Sequence, residues 1–269
     1  MINYINKDTK IFVSVSQNPG NTGSILHNYG YKLNKINAIY IPIECRDEKE
    51  LINILKIKKF NGISVSSPFK SKVIKYLNST NKIVKYTNSV NTILRKNNKL
   101  VGFDTDYYAF KKILSKIKIN KFDDICILGN GSMGRSIFKY FEKNNNNIYL
   151  CSRNIRNYKF WKFKSNHKTI EWRKRHEIKS KIIINTTKIG MPFINPRIPI
   201  NQNSIKNFDI FFDLPINTNS KLQDLCKKYK VRYISGLEMS LYQGICQFEI
   251  YTGKKLDLKK IKKNFNYIF

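Results

Sequence analysis

The sequence predicts an α/β protein of two domains, each built around a mostly parallel sheet. The chain has 269 residues, more than one typical domain of about 100–150 residues needs. Short apolar segments alternate with segments of helical periodicity, which is the pattern of parallel α/β sheets. That alternation begins again after residue 106, where a glycine-rich turn, Gly129 to Gly134, follows the first strand of the second half.

The first half divides into strands and helices in alternation. Apolar and β-branched segments predict five strands, at 11–16, 38–43, 61–66, 90–95 and 99–103. The last two strands flank a polar turn and are expected to form a hairpin. Apolar residues at helical spacing predict a helix that begins at Ser24, a helix over 47–58 with Asp47 as its N-cap, and a helix over 71–77.

The second half repeats the pattern around the glycine turn. Apolar segments predict five further strands, at 124–128, 147–151, 181–184, 208–213 and 232–234. Helices are predicted at 107–117, 135–144 and 238–269. We expect the polar and basic stretches 144–147 and 155–181 to be loops and solvated helix faces. The predicted domains are residues 1–106, with 237–269 packing back on them, and residues 107–236.

The chain has a large excess of positive charge. Its formal net charge is +32, from 50 basic and 18 acidic residues, which is typical of proteins that bind nucleic acid or membranes. The lysines are spread over the whole length, however, and Lys, Asn and Ile are in excess together. Because A/T-rich codons encode these three residues, codon bias is the favoured explanation. We therefore expect no nucleic-acid partner and no membrane partner.

Cysteine usage and hydropathy indicate the compartment. The five cysteines are widely spaced and contain no C-x-x-C pair, which argues against a disulfide framework or a zinc site. The sequence has no apolar signal-peptide core and no run of about 18–20 apolar residues. We expect a cytoplasmic protein that needs no metal, and the sequence leaves both a monomer and a homodimer open.

The segment Gly129 to Gly134 predicts a dinucleotide-binding site. Gly129 permits a tight turn, Gly131 allows the backbone to approach a pyrophosphate, and Gly134 allows close packing of the next helix. The alternative is a turn with a purely structural role, but the apolar strand before it and the apolar helix after it favour a Rossmann-type domain. The residues expected to contact the cofactor here are Gly129, Asn130, Gly131, Ser132, Met133 and Gly134.

The next strand ends in Ser152, Arg153 and Asn154, where NAD sites usually carry an acidic residue. A guanidinium at this point fits the 2′-phosphate of NADP, so these three residues predict NADP rather than NAD as cofactor. Arg156 is expected to assist. The alternative is that Arg153 is simply a solvent-exposed residue of a basic chain.

Lys70 is the leading candidate for a catalytic residue. It closes the segment Gly62-Ile-Ser-Val-Ser-Ser-Pro-Phe-Lys70, and Asp106 closes the segment Gly102-Phe-Asp-Thr-Asp106. A lysine ammonium can stabilise or protonate the oxygen of a ketone that receives a hydride, and a neighbouring carboxylate can hold that ammonium in place. The alternatives are a surface lysine at position 70 and a helix N-cap at position 106.

Motifs along nearly the whole chain resemble those of the shikimate dehydrogenase family. They are Ser64-Val-Ser-Ser-Pro-Phe-Lys70, Ser89-Val-Asn-Thr92, Gly102-Phe-Asp-Thr-Asp106, Asn185-Thr-Thr-Lys-Ile-Gly-Met191, Gly236-Leu-Glu-Met239, and Gln243-Gly244 with Phe248 to Gly253. The resemblance implies reversible, NADP-dependent interconversion of shikimate and 3-dehydroshikimate, a step of aromatic amino-acid biosynthesis. It also implies a substrate-binding α/β domain and an NADP-binding domain, with the active site in the cleft between them.

The resemblance assigns roles to residues by their position in these motifs. Lys70 and Asp106 are implied to be the catalytic pair. Asn91 and Gln243 are implied to contact substrate hydroxyls, and Ser66 takes the place of a threonine near the substrate. The residues implied to hold the nicotinamide half of the cofactor are Asn185, Thr186, Gly236 and Met239.

The chain departs from the family pattern where the substrate carboxylate binds. Counting back from His27, Asn21 and Gly23 stand at the family's two serine positions, and we expect Asn21 to contact the substrate. His27 itself is expected to be a packing residue. The hydroxyl residues that remain as alternatives for the carboxylate contact are Ser14, Ser16, Thr22 and Ser24.

Three further departures affect the expected site. Asp104 and Ser64 each replace a family asparagine, and Ile216 stands where the family has a tyrosine that reaches the substrate. These changes keep a quinate or other cyclohexane-carboxylate dehydrogenase open as an alternative. More distant alternatives are a non-catalytic cofactor binder and a basic nucleic-acid-binding protein.

Overall fold

The computed structural model describes residues 5–154, 161, 163–192, 194–216, 221–258 and 260–261. The chain divides into two compact units, of which one comprises Met1–Ala109 and Ser240–Phe269 and the other comprises Phe110–Met239. Each unit contains one six-stranded sheet with helices, so the predicted α/β fold class is confirmed.

The sheet of the first unit is mixed. Its strands are β1 Lys10–Ser16, β2 Ala38–Glu44, β3 Phe60–Val65, β4 Ser79–Thr80, β5 Thr92–Lys96 and β6 Lys99–Phe103, in the spatial order β2-β1-β3-β5-β6-β4. β1 pairs in parallel with β2 and β3, whereas β5 pairs antiparallel with both β3 and β6. The C-terminal ends of β3 and β6 and the N-terminal end of β5 therefore lie at the same end of the strands.

Helices cover both faces of this sheet. They are α1 Thr22–Leu33, α2 Glu48–Lys56, α3 Lys82–Thr87 and the later helix α7 Gly236–Thr252, while α4 Thr105–Leu114 follows β6 along the chain. Successive strand residues point to opposite faces, so Phe12 packs with Leu26 and Phe248 while Val13 packs with Leu51. The side chain of Asp47 accepts a hydrogen bond from the backbone N–H of Glu50, which confirms the predicted N-cap of α2.

The sheet of the second unit is entirely parallel. Its strands are β7 Asp124–Leu128, β8 Asn147–Ser152, β9 His167–Glu171, β10 Ile182–Asn185, β11 Ile210–Asp213 and β12 Arg232–Ser235, in the spatial order β12-β11-β10-β7-β8-β9. The unit also contains α5 Ser132–Lys143 and α6 Lys221–Lys228. Runs such as Ile182 to Ile184 are fully buried, as expected for strands covered on both faces.

Several predicted elements need correction. The stretch predicted as loops and solvated helix faces holds β9 and a 3₁₀ helix, Trp172–His176, and the predicted helix over 71–77 is a 3₁₀ helix, Lys72–Tyr76. Helix α1 begins at Thr22, two residues before the predicted start. The predicted helix over 238–269 is interrupted: α7 ends at Thr252, where Gly253 has a φ of 70°, residues 258, 260 and 261 are helical again, and residues 262–269 lie outside the described part of the chain.

Candidate active site

Lys70 and Asp106 form an ion pair at the end of the sheet where β3 and β6 end and β5 begins. The Nζ atom of Lys70 lies 2.7 Å from Oδ2 of Asp106, and the two side chains are only 13% and 1% exposed. The backbone oxygen of Lys70 accepts a hydrogen bond from Val90, so the loop after β3 is tied to the start of β5. The alternative of a free surface lysine at position 70 is therefore wrong.

Asn91 joins this pair with its amide group in a fixed orientation. Its Nδ2 donates to Oδ1 of Asp106 at 2.7 Å. Its Oδ1 accepts from the backbone N–H of Thr105 at 2.8 Å and from the hydroxyls of Thr105 and Thr92 at 2.9 and 3.0 Å. An amide nitrogen carries two hydrogens, and the recorded hydrogen bonds of Asn91 use one of them. Sequence reasoning did not single out Thr92 or Thr105, although each sits in a quoted motif.

Asp104 is the residue that caps helix α4. Its Oδ1 accepts from the backbone N–H of Asp106 at 3.1 Å and of Tyr107 at 3.4 Å. The alternative that Asp106 itself caps this helix is therefore wrong, and the carboxylate of Asp106 is left to bind Lys70 and Asn91. The replacement of the family asparagine by Asp104 keeps a side chain that caps well.

The other residues expected near a substrate lie in different surroundings. Ser66 is exposed directly after β3, and Gln243 is half-buried on α7. Asn21 is exposed at the start of α1, where its backbone oxygen accepts from Ser24, and no recorded hydrogen bond joins it to Lys70 or Asp106. A Cβ added to Gly23 would lie 3.4 Å from the hydroxyl of Tyr40.

The glycine turn has the geometry that a dinucleotide phosphate requires. Gly129 has a φ of +102°, and a Cβ on Gly134 would lie 2.6 Å from the backbone oxygen of Gly129. A Cβ on Gly131 would meet no atom within 4 Å, so the space beside this backbone is open. Gly131 is also the N-cap of α5 and brings no side chain to the first amides of that helix, which can bind a phosphate. These residues fit a bound dinucleotide.

The end of β8 lies beside this turn. The Nδ2 of Asn130 donates to the backbone oxygen of Asn154 at 3.1 Å, and the backbone N–H of Asn154 donates to the hydroxyl of Ser152 at 3.2 Å. Arg153 is exposed between them. The structure therefore places an exposed arginine next to the glycine turn, while Arg156 lies outside the described residues.

Asn185 shapes the loop that follows β10. Its Nδ2 donates to the backbone oxygen of Ile189 and to Oδ1 of Asp213, each at 2.7 Å, and its Oδ1 accepts from the N–H and hydroxyl of Thr187. Its side chain is thus fully used inside the second unit. Burial raises the pKa of Asp213 to about 6, and hydrogen bonds from Asn185 and Tyr233 act in the opposite direction.

The remaining residues expected at the cofactor are held closely within the second unit. The hydroxyl of Thr186 donates to the backbone oxygen of Leu128 at 2.8 Å. A Cβ on Gly236 would collide with the backbone oxygen of Leu214, so only glycine fits there. Met239 is buried, and Ser132 and Met133 form the half-buried first turn of α5.

Other features bear on the class of chemistry. Over the part of the chain that the structure describes, no cluster of His, Cys, Asp and Glu could hold a metal ion. Within the same residues, no helix has the length and apolar character that crossing a membrane would require. All five cysteines are buried free thiols. The arrangement offers a lysine held by a carboxylate, with an amide donor beside it.

Two family models match the chain. The shikimate dehydrogenase substrate binding domain matches residues 20–93, and the shikimate 5′-dehydrogenase C-terminal domain matches residues 236–263. Shikimate dehydrogenase (NADP⁺) of Methanococcus vannielii is 34% identical over 257 residues, which cover 89% of this chain and 90% of the relative.

Solved structures of related proteins superimpose on the chain over almost its whole length. A chorismate mutase/shikimate 5-dehydrogenase fusion protein from Clostridium acetobutylicum has a TM-score of 0.87 at 26% identity, over 97% of each chain. A shikimate dehydrogenase in complex with NADP⁺ has a TM-score of 0.84 at 25% identity, over 97% of this chain and 96% of its own.

Proposed function

The chain belongs to the shikimate dehydrogenase family, and we propose that it catalyses the reversible, NADP-dependent interconversion of shikimate and 3-dehydroshikimate. The observation that carries this proposal is the buried cluster of Lys70, Asp106 and Asn91, joined by two contacts of 2.7 Å. Such a cluster is suited to an oxygen that becomes an alkoxide and takes up a proton. In this role the protein serves aromatic amino-acid biosynthesis.

The chain's own residues supply orientation and the proton. NADP, when bound, supplies the hydride in the reducing direction and accepts it in the oxidising direction. Lys70 directs one N–H at Asp106, and its other hydrogens are free to bind the substrate oxygen and to pass a proton to it. The spare N–H of Asn91 binds a substrate oxygen close by, and Gln243 and Ser66 complete the contacts.

The cofactor is held by the glycine turn and the end of β8. The backbone at Gly131 and the first turn of α5, at Ser132 and Met133, bind the pyrophosphate. Arg153 binds the 2′-phosphate, which is the group that distinguishes NADP from NAD. Asn185 keeps its loop in shape for the nicotinamide half, and Gly236 allows the close packing that this loop region needs.

A second candidate, a quinate or other cyclohexane-carboxylate dehydrogenase, is favoured by one observation. Asn21 and Gly23 stand at the family's two serine positions, and at Gly23 a new side chain would meet Tyr40. The variant with Asn21→Ser and Gly23→Ser restores the serine pair. If the carboxylate pocket is built for another acid, this variant will raise turnover of shikimate relative to that acid.

The location and partners follow from the same features. The buried free thiols fit a cytoplasmic enzyme. The partners proposed are the small-molecule substrate and NADP, with no nucleic acid. Both a monomer and a homodimer are compatible with this activity.

One assay tests the proposed reaction. The purified protein is given shikimate or quinate with NADP or NAD, and NADPH or NADH is followed by absorbance. We expect turnover of shikimate with NADP, and its loss in Lys70→Met. Lys72→Met is the matched control, because Lys72 is exposed two residues away and should leave turnover unchanged. No turnover of either acid with either cofactor would overturn the proposal.

A further inference from the structure

We propose that Gln247 and Ser64 are positioning residues, which hold Asn91 at a fixed place relative to the substrate contact Gln243. The proposal rests on the proposed function, since it assigns Asn91 and Gln243 to the substrate. Neither Gln247 nor Ser64 touches the Lys70–Asp106 pair in a recorded contact. Their effect is exerted through the backbone of Asn91.

A directional chain of hydrogen bonds runs from two tyrosines to Asn91. Tyr40 donates to Oγ of Ser64 at 2.7 Å, and the hydroxyl of Tyr251 lies 2.9 Å from the same atom. The Oγ of Ser64 donates to Oε1 of Gln247 at 3.2 Å, and Nε2 of Gln247 donates to the backbone oxygen of Asn91 at 3.2 Å. A serine hydroxyl has one hydrogen, so Tyr251 must be a donor to Ser64.

The orientation of the Gln247 amide follows from this chain. Its oxygen faces the hydrogen of Ser64, and its nitrogen faces the carbonyl of Asn91. Ser64, Gln247 and Asn91 are 7%, 4% and 0% exposed, so water does not readily replace a lost partner. A buried network of this kind specifies one arrangement when every member is satisfied.

The chain ties Asn91 to two elements at once. The backbone oxygen of Asn91 accepts from the N–H of Val65 at 2.9 Å and from Gln247 at 3.2 Å. Val65 ends the strand that leads to Lys70, whereas Gln247 lies on α7 one helical turn after Gln243. Residues four apart share a helix face, so Gln247 sets the position of Gln243 against Asn91.

Only an amide at position 247 can serve both neighbours. Glutamate can accept from Ser64 but cannot donate to the carbonyl of Asn91 when ionised, and methionine does neither while keeping a similar length and volume. Tyr251→Phe is the matched control, because it removes a hydroxyl from the same network but leaves the path from Ser64 through Gln247 to Asn91 intact.

Steady-state kinetics test the role. We expect Gln247→Met to lower kcat/KM for shikimate by about tenfold, the factor that one lost hydrogen bond of somewhat above 1 kcal/mol corresponds to. The KM for NADP should not change. Ser64→Ala should act in the same direction, and the double variant should lose less than the product of the two single losses, since both act on one path. The proposal would be overturned if Gln247→Met had the same kcat/KM as Tyr251→Phe. It would also be overturned if the unfolded fraction of Gln247→Met accounted for its loss of kcat/KM.

A second readout needs no activity and separates this proposal from the reaction. In protein labelled with ¹⁵N-asparagine, the side-chain amide signal of Asn91 is assigned by its loss in Asn91→Asp. We expect that signal to move in Gln247→Met and to stay in place in Tyr251→Phe. If it moves while the wild-type protein turns over no substrate, the proposed reaction fails and the positioning role stands. If it does not move, the positioning role is wrong whatever the activity.

Discussion

Lowering the pH from 7 to 4.5 is expected to destabilise the first unit through one buried histidine. His27 on α1 is fully buried, and its ring stacks on Tyr40 with the ring centroids 4.3 Å apart. Burial lowers the pKa of His27 from 6.5 to about 3, and the neighbouring Gln247 side chain opposes this shift only in part. At pH 4.5 the ring is therefore protonated in the unfolded chain and neutral in the folded protein.

The magnitude follows from the two pKa values of His27. The folded value lies below the unfolded one, so the stability due to His27 is present above pH 6.5 and is lost as the pH falls towards 3. One pH unit between the two values costs about 1.4 kcal/mol. Between pH 7 and pH 4.5 the loss is thus roughly 2.5 kcal/mol, after allowing for the small protonated fraction at pH 7.

Urea denaturation of the wild type and of His27→Phe at both pH values isolates this contribution. Phenylalanine keeps an aromatic ring against Tyr31, Tyr40 and Phe248 but cannot be protonated. All other titrating groups are common to the two proteins and cancel. We expect the free energy of unfolding of the variant, relative to wild type, to rise by roughly 2.5 kcal/mol from pH 7 to pH 4.5. The same difference at both pH values would refute the reasoning.

Three further predictions concern Asp104, Asp213 and Arg153. Asp104→Ala should lower the free energy of unfolding by about 1 kcal/mol through loss of the α4 cap, and it should lower kcat by displacing Asp106. Asp104→Asn should retain both the stability and kcat of the wild type. Equal urea midpoints for Asp104→Ala and wild type would contradict this. The pKa of Asp213 is raised from 3.8 to about 6, so its contribution to stability is present at low pH and lost as the pH rises through 6. Asp213→Asn should therefore gain roughly 2–3 kcal/mol relative to wild type between pH 4 and pH 7 in urea titrations, and a constant difference would count against the buried charge. Arg153→Ala should raise KM for NADP by about tenfold and leave KM for NAD nearly unchanged in initial-rate assays, whereas equal effects on both cofactors would refute the 2′-phosphate role.

The pairing of Lys70 with Asp106 could be predicted from the sequence, whereas the hydrogen bond from Asn91 to Asp106 could not. The motifs of Lys70 and Asp106 each follow a predicted strand, Asn91 lies in the strand predicted at 90–95, and a predicted hairpin links the last two of these strands. In the structure β5 pairs with both β3 and β6, which brings the segments of Lys70, Asn91 and Asp106 to one end of the sheet. The family resemblance therefore indicates the pair, while the pairing of β5 with β3 that brings Asn91 to it is known only from the structure.

The division of labour between Asp104 and Asp106 could not be predicted in this way. Both are acidic residues at the start of one helix, and either type can cap a helix N-terminus. Only the geometry shows that Asp104 takes the amides of Asp106 and Tyr107 and leaves Asp106 to Lys70. A local sequence pattern does not distinguish positions two residues apart in such a segment.

Contacts between distant parts of the chain could not be predicted from the sequence either. Ser64 and Gln247 are 183 positions apart, and nothing in the local pattern of either residue indicates the hydrogen bond that joins them. Strand β9, His167–Glu171, carries no strand signal in the sequence, because its residues are mostly polar and it lies at the edge of the sheet. The hydrogen bonds that join the side chain of Asn185 to its own loop and to Asp213 are likewise not indicated by the local sequence.

The most direct test of the account is the turnover number for shikimate with NADP, measured on wild type, Lys70→Met and Lys72→Met at equal folded fractions. The account predicts NADPH formation by wild type and Lys72→Met at the same rate. It predicts a fall of at least about a hundredfold in Lys70→Met, because proton transfer by a positioned side chain contributes factors of that order. A Lys70→Met protein that is folded and turns over shikimate at the wild-type rate would contradict the central claim.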